Sequence, residues 1–107
     1  MRTKGEEKQV RALVVCADGA ATSTMVLVAL REALEDRGIP AEIVQGRVLD
    51  AERLVKSEDF DFVVSTAGTE AIDVDIPVLS GVPFLTGIGK EQTLDKIMKI
   101  VDKKGGN

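Results

Sequence analysis

Residues 10–24, VRALVVCADGAATST, join an apolar run to a turn of small and hydroxyl-bearing residues. The middle of the run is continuously apolar, which is typical of a strand covered on both faces of a sheet. The turn leads into a helical pattern, and its threonine and serine can cap a helix start. The pattern therefore predicts a strand at Val10–Cys16 and a helix at Thr22–Arg37, with Cys16 at the carboxyl end of the strand, facing the helix start.

Strand and helix patterns alternate along the rest of the chain. The periodicity predicts a strand at Ala41–Gln45, a short helix at Asp50–Lys56, a strand at Phe60–Ser65, a short strand at Ile76–Leu79 and a final helix that begins near Lys90. Such alternation implies a parallel sheet with right-handed crossovers. We therefore expect an α/β fold: a small open three-layer Rossmann-like or flavodoxin-like domain, its four-stranded parallel sheet carrying helices on both faces. Ligands bind such sheets at the carboxyl ends of the strands, where the strand order reverses.

The composition indicates one soluble domain. The 107 residues suffice for a single core, which we expect over residues 9–102, between a flexible segment 1–8 and a flexible tail 103–107. No apolar stretch is long enough to span a bilayer, and none resembles a signal peptide. The net charge of −4 and the lack of a basic patch with interleaved aromatic residues argue against nucleic acid as a partner.

The cysteine and histidine content narrows the chemistry. A single cysteine excludes an internal disulfide, so a cytoplasmic location is expected. The chain contains no histidine, which excludes Ser-His, Cys-His and histidine-ligated metal chemistry from within it. No metal and no cofactor are predicted, and any histidine in the mechanism must come from another molecule.

The segment after Cys16 has the composition of a phosphate-binding loop. Small side chains let successive N–H groups converge on one anion, and a helix start favours both an anion and a thiolate. The predicted loop comprises Ala17, Asp18, Gly19, Ala20, Ala21, Thr22 and Ser23. The plainer alternative is an ordinary turn with capping hydroxyls beside a buried, inert cysteine.

The spacing within this loop separates two thiol chemistries. A phosphatase loop of the Cys-x5-Arg type carries an arginine that clamps phosphate and stabilises its transfer to water. Thr22 occupies the position of that arginine here. The residues therefore favour a carrier that holds a phosphoryl group on sulfur without driving hydrolysis. The alternative left open is a low-molecular-weight phosphatase or an arsenate reductase of similar layout.

Two segments carry a resemblance to a known family. One is Val15–Cys16 followed by Ala21–Met25, and the other is the segment 81–89, Gly-Val-Pro-Phe-Leu-Thr-Gly-Ile-Gly. They resemble the enzyme IIB components of the sugar phosphotransferase system (PTS), specifically the galactitol type, and the similarity extends over Val10–Val101. The resemblance implies a phosphotransferase. In it, Cys16 accepts a phosphoryl group from a phosphohistidine of enzyme IIA and passes it to a galactitol-like sugar or polyol held by the membrane component IIC during uptake.

The resemblance also implies that residues 17–23 form the phosphate-binding loop and that IIC recruits the chain to the inner face of the cell membrane. Thr66 and Thr69 follow the third predicted strand, so they could line the rim of the site together with Thr24. Glycines tend to follow the cysteine in galactitol-type members, and Asp18 departs from that pattern. We expect its carboxylate to face solvent or a basic patch on a partner, because it would repel a phosphate if it pointed inward.

Overall fold

Four parallel strands form one sheet. The computed structural model describes residues 10–16, 20–67 and 72–105. The strands are β1 (Val10–Cys16), β2 (Ala41–Arg47), β3 (Phe62–Ser65) and β4 (Val78–Ser80), and they lie in the order β2-β1-β3-β4. All neighbouring strands are parallel, so β1 and β3 lie at the centre of the sheet and β2 and β4 lie at its edges.

Helices follow the strands β1, β2 and β4. In the described parts of the chain they are α1 (Ala20–Asp36), a 3-10 turn (Val48–Asp50), α2 (Ala51–Ser57), α3 (Val82–Thr86) and α4 (Lys90–Gly105). The first helix ends at Asp36, one residue before the predicted Arg37. Gly38 has a φ of +72°, a conformation that glycine adopts without steric cost. The N–H groups of Gly38 and Ile39 then donate to the carbonyls of Glu35 and Leu34, both at 2.9 Å, which closes the helix end.

The core has one half on each face of the sheet. On the first face, Val10, Ala12 and Val14 of β1 pack against α1, α3 and α4. The helical side chains buried there are Val26, Leu30, Ala33 and Leu34 of α1, Phe84 of α3, and Leu94, Ile97 and Val101 of α4. On the other face, Leu13 and Val15 pack against α2 and the segment that leads to β4. Alternate residues of β1 thus face opposite layers, which confirms the predicted three-layer α/β fold with helices on both faces.

The strand boundaries differ from the prediction. The second strand runs to Arg47 rather than Gln45, and the third begins at Phe62. Asp61 delays that start because its side-chain Oδ2 accepts the backbone N–H of Arg11 at 2.8 Å, where a strand would use a backbone carbonyl. The fourth strand begins after Pro77, since proline has no N–H to donate to a sheet.

The helix boundaries also differ. Helix α1 begins at Ala20 rather than Thr22, and a 3-10 turn occupies the start of the predicted second helix. Helix α4 continues to Gly105, into the segment that the sequence predicts as a tail. The predicted flexible segment 1–8 lies outside the described residues.

Helix α3 was not predicted, and the prediction of three helices was therefore wrong. The predicted elements leave a gap between the strand at Ile76–Leu79 and the helix that begins near Lys90. Within that gap, Val82–Thr86 forms a short helix, and its Phe84 is buried. Proline is compatible with a first helical turn because the N–H groups there have no acceptor within the helix.

Candidate functional site

The carboxyl ends of the four strands meet at one side of the sheet, called the carboxyl edge below. The chain passes from β1 to β2 on one side and then crosses to β3 on the other, so the strand order reverses at β1. Cys16 is the last residue of β1, and 9% of it is exposed. The cysteine therefore lies where α/β sheets bind their ligands.

The amino terminus of α1 follows Cys16 closely. The helical backbone starts at Ala20, so the N–H groups of residues 20–23 have no acceptor within the helix. This turn contains no acidic residue, and the positive end of the helix dipole favours an anion there. The backbone of this turn is therefore suited to an anion beside the cysteine.

Most of the predicted phosphate-binding loop lies outside the described residues. Ala17, Asp18 and Gly19 lie outside the described residues, as do the side chains of Ala20, Ala21, Thr22 and Ser23. The roles assigned to these side chains, and the orientation of Asp18, stay predictions.

The structure places two of the three predicted rim threonines. Thr66 follows β3, and its N–H and hydroxyl both donate to the carbonyl oxygen of Val15, at 3.1 Å and 3.4 Å. These bonds hold Thr66 beside the end of β1. Thr24 is exposed on α1, and its hydroxyl accepts a 3.1 Å hydrogen bond from Nε2 of Gln45 in β2. Thr69 lies outside the described residues.

The structure brings a further residue, Arg47, to the carboxyl edge. Arg47 ends β2 and pairs in register with Cys16, just as Ile43 pairs with Ala12. Ile43 and Ala12 both pack into the first half of the core, so alternation along the two strands puts Arg47 and Cys16 on that same face.

Sequence reasoning missed Arg47 as a site residue because it ended β2 at Gln45. No local signal marks this residue, because its position opposite Cys16 depends on the register between β1 and β2.

Asp50 lies between two arginines next to this edge. Nη2 of Arg53 is 3.0 Å from Oδ1 of Asp50, and Nε of Arg47 is 3.6 Å from Oδ2. The hydrogen bond from Arg53, aided by the positive charges of both arginines, lowers the pKa of the Asp50 carboxyl below its ordinary value. Asp50 is therefore an ionised partner of both arginines, and Arg53 is the closer of the two.

Residues 10–16, 20–67 and 72–105 lack two further features. Within these ranges, no three side chains of His, Cys, Asp or Glu come close enough together to hold a metal ion. No helix in the same ranges has both the length and the apolar character needed to cross a bilayer.

Known proteins match most of this chain. The family described as "PTS system, Lactose/Cellobiose specific IIB subunit" matches residues 11–96. The galactitol-specific EIIB component of the PTS from Escherichia coli strain K12 is 34% identical over 89 residues, which cover 83% of this chain and 93% of that protein. Proteins of the same name from Escherichia coli O157:H7 and Shigella flexneri are each 33% identical over 89 residues, with the same coverage.

The family match spans the elements that build the carboxyl edge, from Arg11 in β1 to Lys96 in α4. The curated relatives align with this chain over nearly their whole length. The chain therefore belongs to the enzyme IIB family of the sugar phosphotransferase system.

Proposed function

We propose that this protein is a phosphoryl carrier that works through Cys16. The thiol accepts a phosphoryl group from a phosphohistidine of enzyme IIA and gives it to a galactitol-like sugar or polyol bound by the membrane component IIC. The observation that carries the proposal is the position of Cys16. In a chain of the IIB family, this cysteine lies at the reversal of strand order, directly before the amino terminus of α1.

The first transfer exchanges one bond to phosphorus for another. The sulfur of Cys16 attacks the phosphorus, the S–P bond forms, and the N–P bond of the phosphohistidine breaks. The imidazole nitrogen keeps the electron pair and takes up the proton that the thiol gives up. The N–H groups at the start of α1, which have no acceptor within the helix, favour the negative phosphoryl oxygens as charge accumulates on them.

The second transfer returns the sulfur to its starting state. A hydroxyl of the sugar attacks the phosphorus, the O–P bond forms, the S–P bond breaks, and the hydroxyl proton replaces the phosphoryl group on sulfur. Thr22 stands where a thiol phosphatase carries its arginine. This difference supports transfer to a bound acceptor rather than to water.

Exposed apolar side chains support docking at this edge. Among the described residues, the large apolar side chains that are exposed all belong to segments that follow the carboxyl end of a strand. They are Met25 and Val28 of α1, Leu49 after β2, Val82 and Leu85 of α3, and Ile88 after α3. We call these six residues the carboxyl-edge apolar surface. Exposed apolar side chains are available for protein contacts, and IIA must approach the carboxyl edge to bring its phosphohistidine to Cys16.

The substrate class comes from the curated relatives. The proteins that align along nearly all of their length are named galactitol-specific, whereas the family description names lactose and cellobiose. We favour a galactitol-like polyol because the relatives align individually and nearly end to end. The IIC component, which holds the sugar, would also bring this chain to the inner face of the membrane.

The test supplies phosphoenolpyruvate, the upstream phosphotransferase proteins and a galactitol-type IIA, and measures the intact mass of the chain. We expect a gain of one phosphoryl group that is lost in Cys16→Ser. The circular dichroism spectrum of the variant should match that of the original protein, which shows that the loss is chemical. An unchanged mass, or a phosphoryl group that remains in Cys16→Ser, would contradict the proposal.

A phosphatase assay on the isolated protein tests the alternative. A carrier should hydrolyse an aryl phosphate no faster than its Cys16→Ser variant does. Turnover without partners that depends on Cys16 would favour a thiol phosphatase or an arsenate reductase instead.

A further inference from the structure

We propose that Arg47 binds the phosphoryl group while it is on Cys16. This inference rests on the proposed carrier function and adds a residue to it. The guanidinium supplies, from the neighbouring strand, the positive charge that the segment after Cys16 lacks at Thr22.

The register of the sheet places Arg47 beside Cys16. Arg47 and Cys16 are the last residues of β2 and β1 and are partners in the parallel ladder. Neighbouring strands lie about 4.8 Å apart, and the two side chains leave the sheet on the same face. A long, flexible arginine side chain at that distance can reach a phosphoryl group on the cysteine sulfur.

Hydrogen bonding beside the pair shows that β2 and α1 come together here. Two residues before Arg47, Gln45 donates from Nε2 to the hydroxyl of Thr24 on α1 at 3.1 Å. The end of β2 is thereby connected to the helix whose amino terminus follows Cys16. Arg47 continues the same face of β2 one step further towards the carboxyl edge.

The ion pairs at Asp50 leave Arg47 able to change partner. Nε of Arg47 lies 3.6 Å from Asp50, a long contact, and 75% of the arginine side chain is exposed. Arg53 holds the other oxygen of Asp50 at 3.0 Å. If Arg47 turned towards a phosphoryl group, Asp50 would keep a cationic partner and no buried contact would break.

The chemistry of the guanidinium suits this role. Its planar N–H donors match two phosphoryl oxygens at once, and the group stays positively charged throughout the physiological pH range. Donation from Arg47 requires no proton transfer, so the bond changes of the two transfer steps stay as written. The arginine would stabilise phosphocysteine relative to the free thiol.

The first test uses the thiol alone and needs no phosphotransferase partner. Iodoacetate and iodoacetamide both alkylate a thiolate, forming an S–C bond with loss of iodide, but only iodoacetate is an anion. A cation beside Cys16 raises the ratio of the iodoacetate rate to the iodoacetamide rate. We expect Arg47→Gln to lower this ratio by about threefold to tenfold, as expected for one nearby partly screened charge.

Two further variants make the test specific. Arg47→Lys keeps the charge and should keep most of the ratio. Lys56→Gln removes the same charge from the exposed face of α2 and should leave the ratio unchanged. The inference would be overturned if Arg47→Gln kept the original ratio, or if Lys56→Gln lowered it equally, because the effect would then belong to the net charge.

The second test measures phosphoryl transfer from IIA. Arg47→Gln should lower the rate about tenfold and Lys56→Gln should leave it unchanged. A slower transfer with an unchanged alkylation ratio would assign Arg47 to the docking of IIA and overturn the inference. If the unmodified protein takes up no phosphoryl group, the proposed function fails, whereas the alkylation ratio still decides whether Arg47 acts on Cys16.

Discussion

Gly81 is packed so closely that its missing side chain matters to the site. A Cβ atom at this position would lie 3.0 Å from Cγ2 of Thr66, 3.1 Å from Cγ1 of Val64 and 3.4 Å from Cγ1 of Val26. Its φ of −89° suits any residue, so the constraint is steric. Because Thr66 and Val64 are β-branched, they cannot easily turn away. This glycine lets the start of α3 approach β3 beside the rim threonine.

We predict that Gly81→Ala lowers the free energy of unfolding by about 1 to 2 kcal/mol, because overpacking a core site outweighs the smaller gain from a less flexible unfolded chain. Urea denaturation measures the change. Gly46→Ala is the matched control, since its Cβ would meet Cδ1 of Leu54 at 2.9 Å, the movable end of a half-buried side chain. It should cost clearly less. A larger loss in Gly46→Ala than in Gly81→Ala would contradict this account of the packing.

Individual residues of the site were predictable to different degrees. The position of Cys16 followed from local pattern, because an apolar run and a small-residue turn mark the end of a buried strand. The position of Arg47 could not be predicted from local pattern, since it depends on how two strands align. The last three residues of β2, Gln45 to Arg47, also lack the apolar side chains that mark a strand. Asp50 was predicted only as the start of a helix, and its ion pairs with Arg47 and Arg53, each three residues away, form in the turn and helix at that position.

At the scale of elements, the side chain of Arg11 binds β1 to the loop between α2 and β3. Its Nη2 lies 2.8 Å from Oε1 of Glu58 and its Nε lies 3.1 Å from Oε1 of Glu42. Nη1 donates to the carbonyl of Asp59 at 3.1 Å, and the guanidinium carbon is 4.9 Å from the ring centre of Phe60. One side chain thus holds two strands and a loop together at the end of β1 away from Cys16.

We predict that Arg11→Met lowers the free energy of unfolding by about 1 to 2 kcal/mol, the sum of partly exposed ion pairs, one hydrogen bond and a cation–π contact. The methionine keeps part of the apolar stem. Arg31→Met, on the exposed face of α1, removes the same charge and should change stability by less than about 0.5 kcal/mol. The initial rate of Cys16 phosphorylation should be unchanged in both. Equal losses of stability in the two variants would show that net charge, not this set of contacts, is responsible.

The elements also show why local sequence predicts some parts of a fold better than others. Helices α1 and α4 are long and their apolar residues recur on one face, so each could be predicted from its own residues. Helix α3 has only 5 residues and is too short to be stable alone. It forms because Phe84 is buried against the core, and tertiary packing of this kind leaves little periodic signal.

At the scale of the whole molecule, the topology brings Cys16 and exposed apolar residues to the carboxyl edge. The parallel arrangement puts the carboxyl ends of all four strands on the same side. Leu49 follows the edge strand β2 and Ile88 lies beyond the opposite edge strand β4. Leu49 and Ile88 of the carboxyl-edge apolar surface therefore lie on opposite sides of β1, as the proposed docking of IIA over Cys16 requires.

We predict that Leu49→Ser combined with Ile88→Ser raises the IIA concentration needed for half-maximal phosphorylation of Cys16 by about tenfold, since each side chain loses part of the roughly 1 to 2 kcal/mol that its burial would contribute. Stability should hardly change, because the two are 88% and 81% exposed. The alkylation rate of Cys16 should stay the same. Glu35→Ser, exposed near the far end of α1, is the control and should not affect IIA. A double variant that transfers normally would place the contact with IIA elsewhere on the chain.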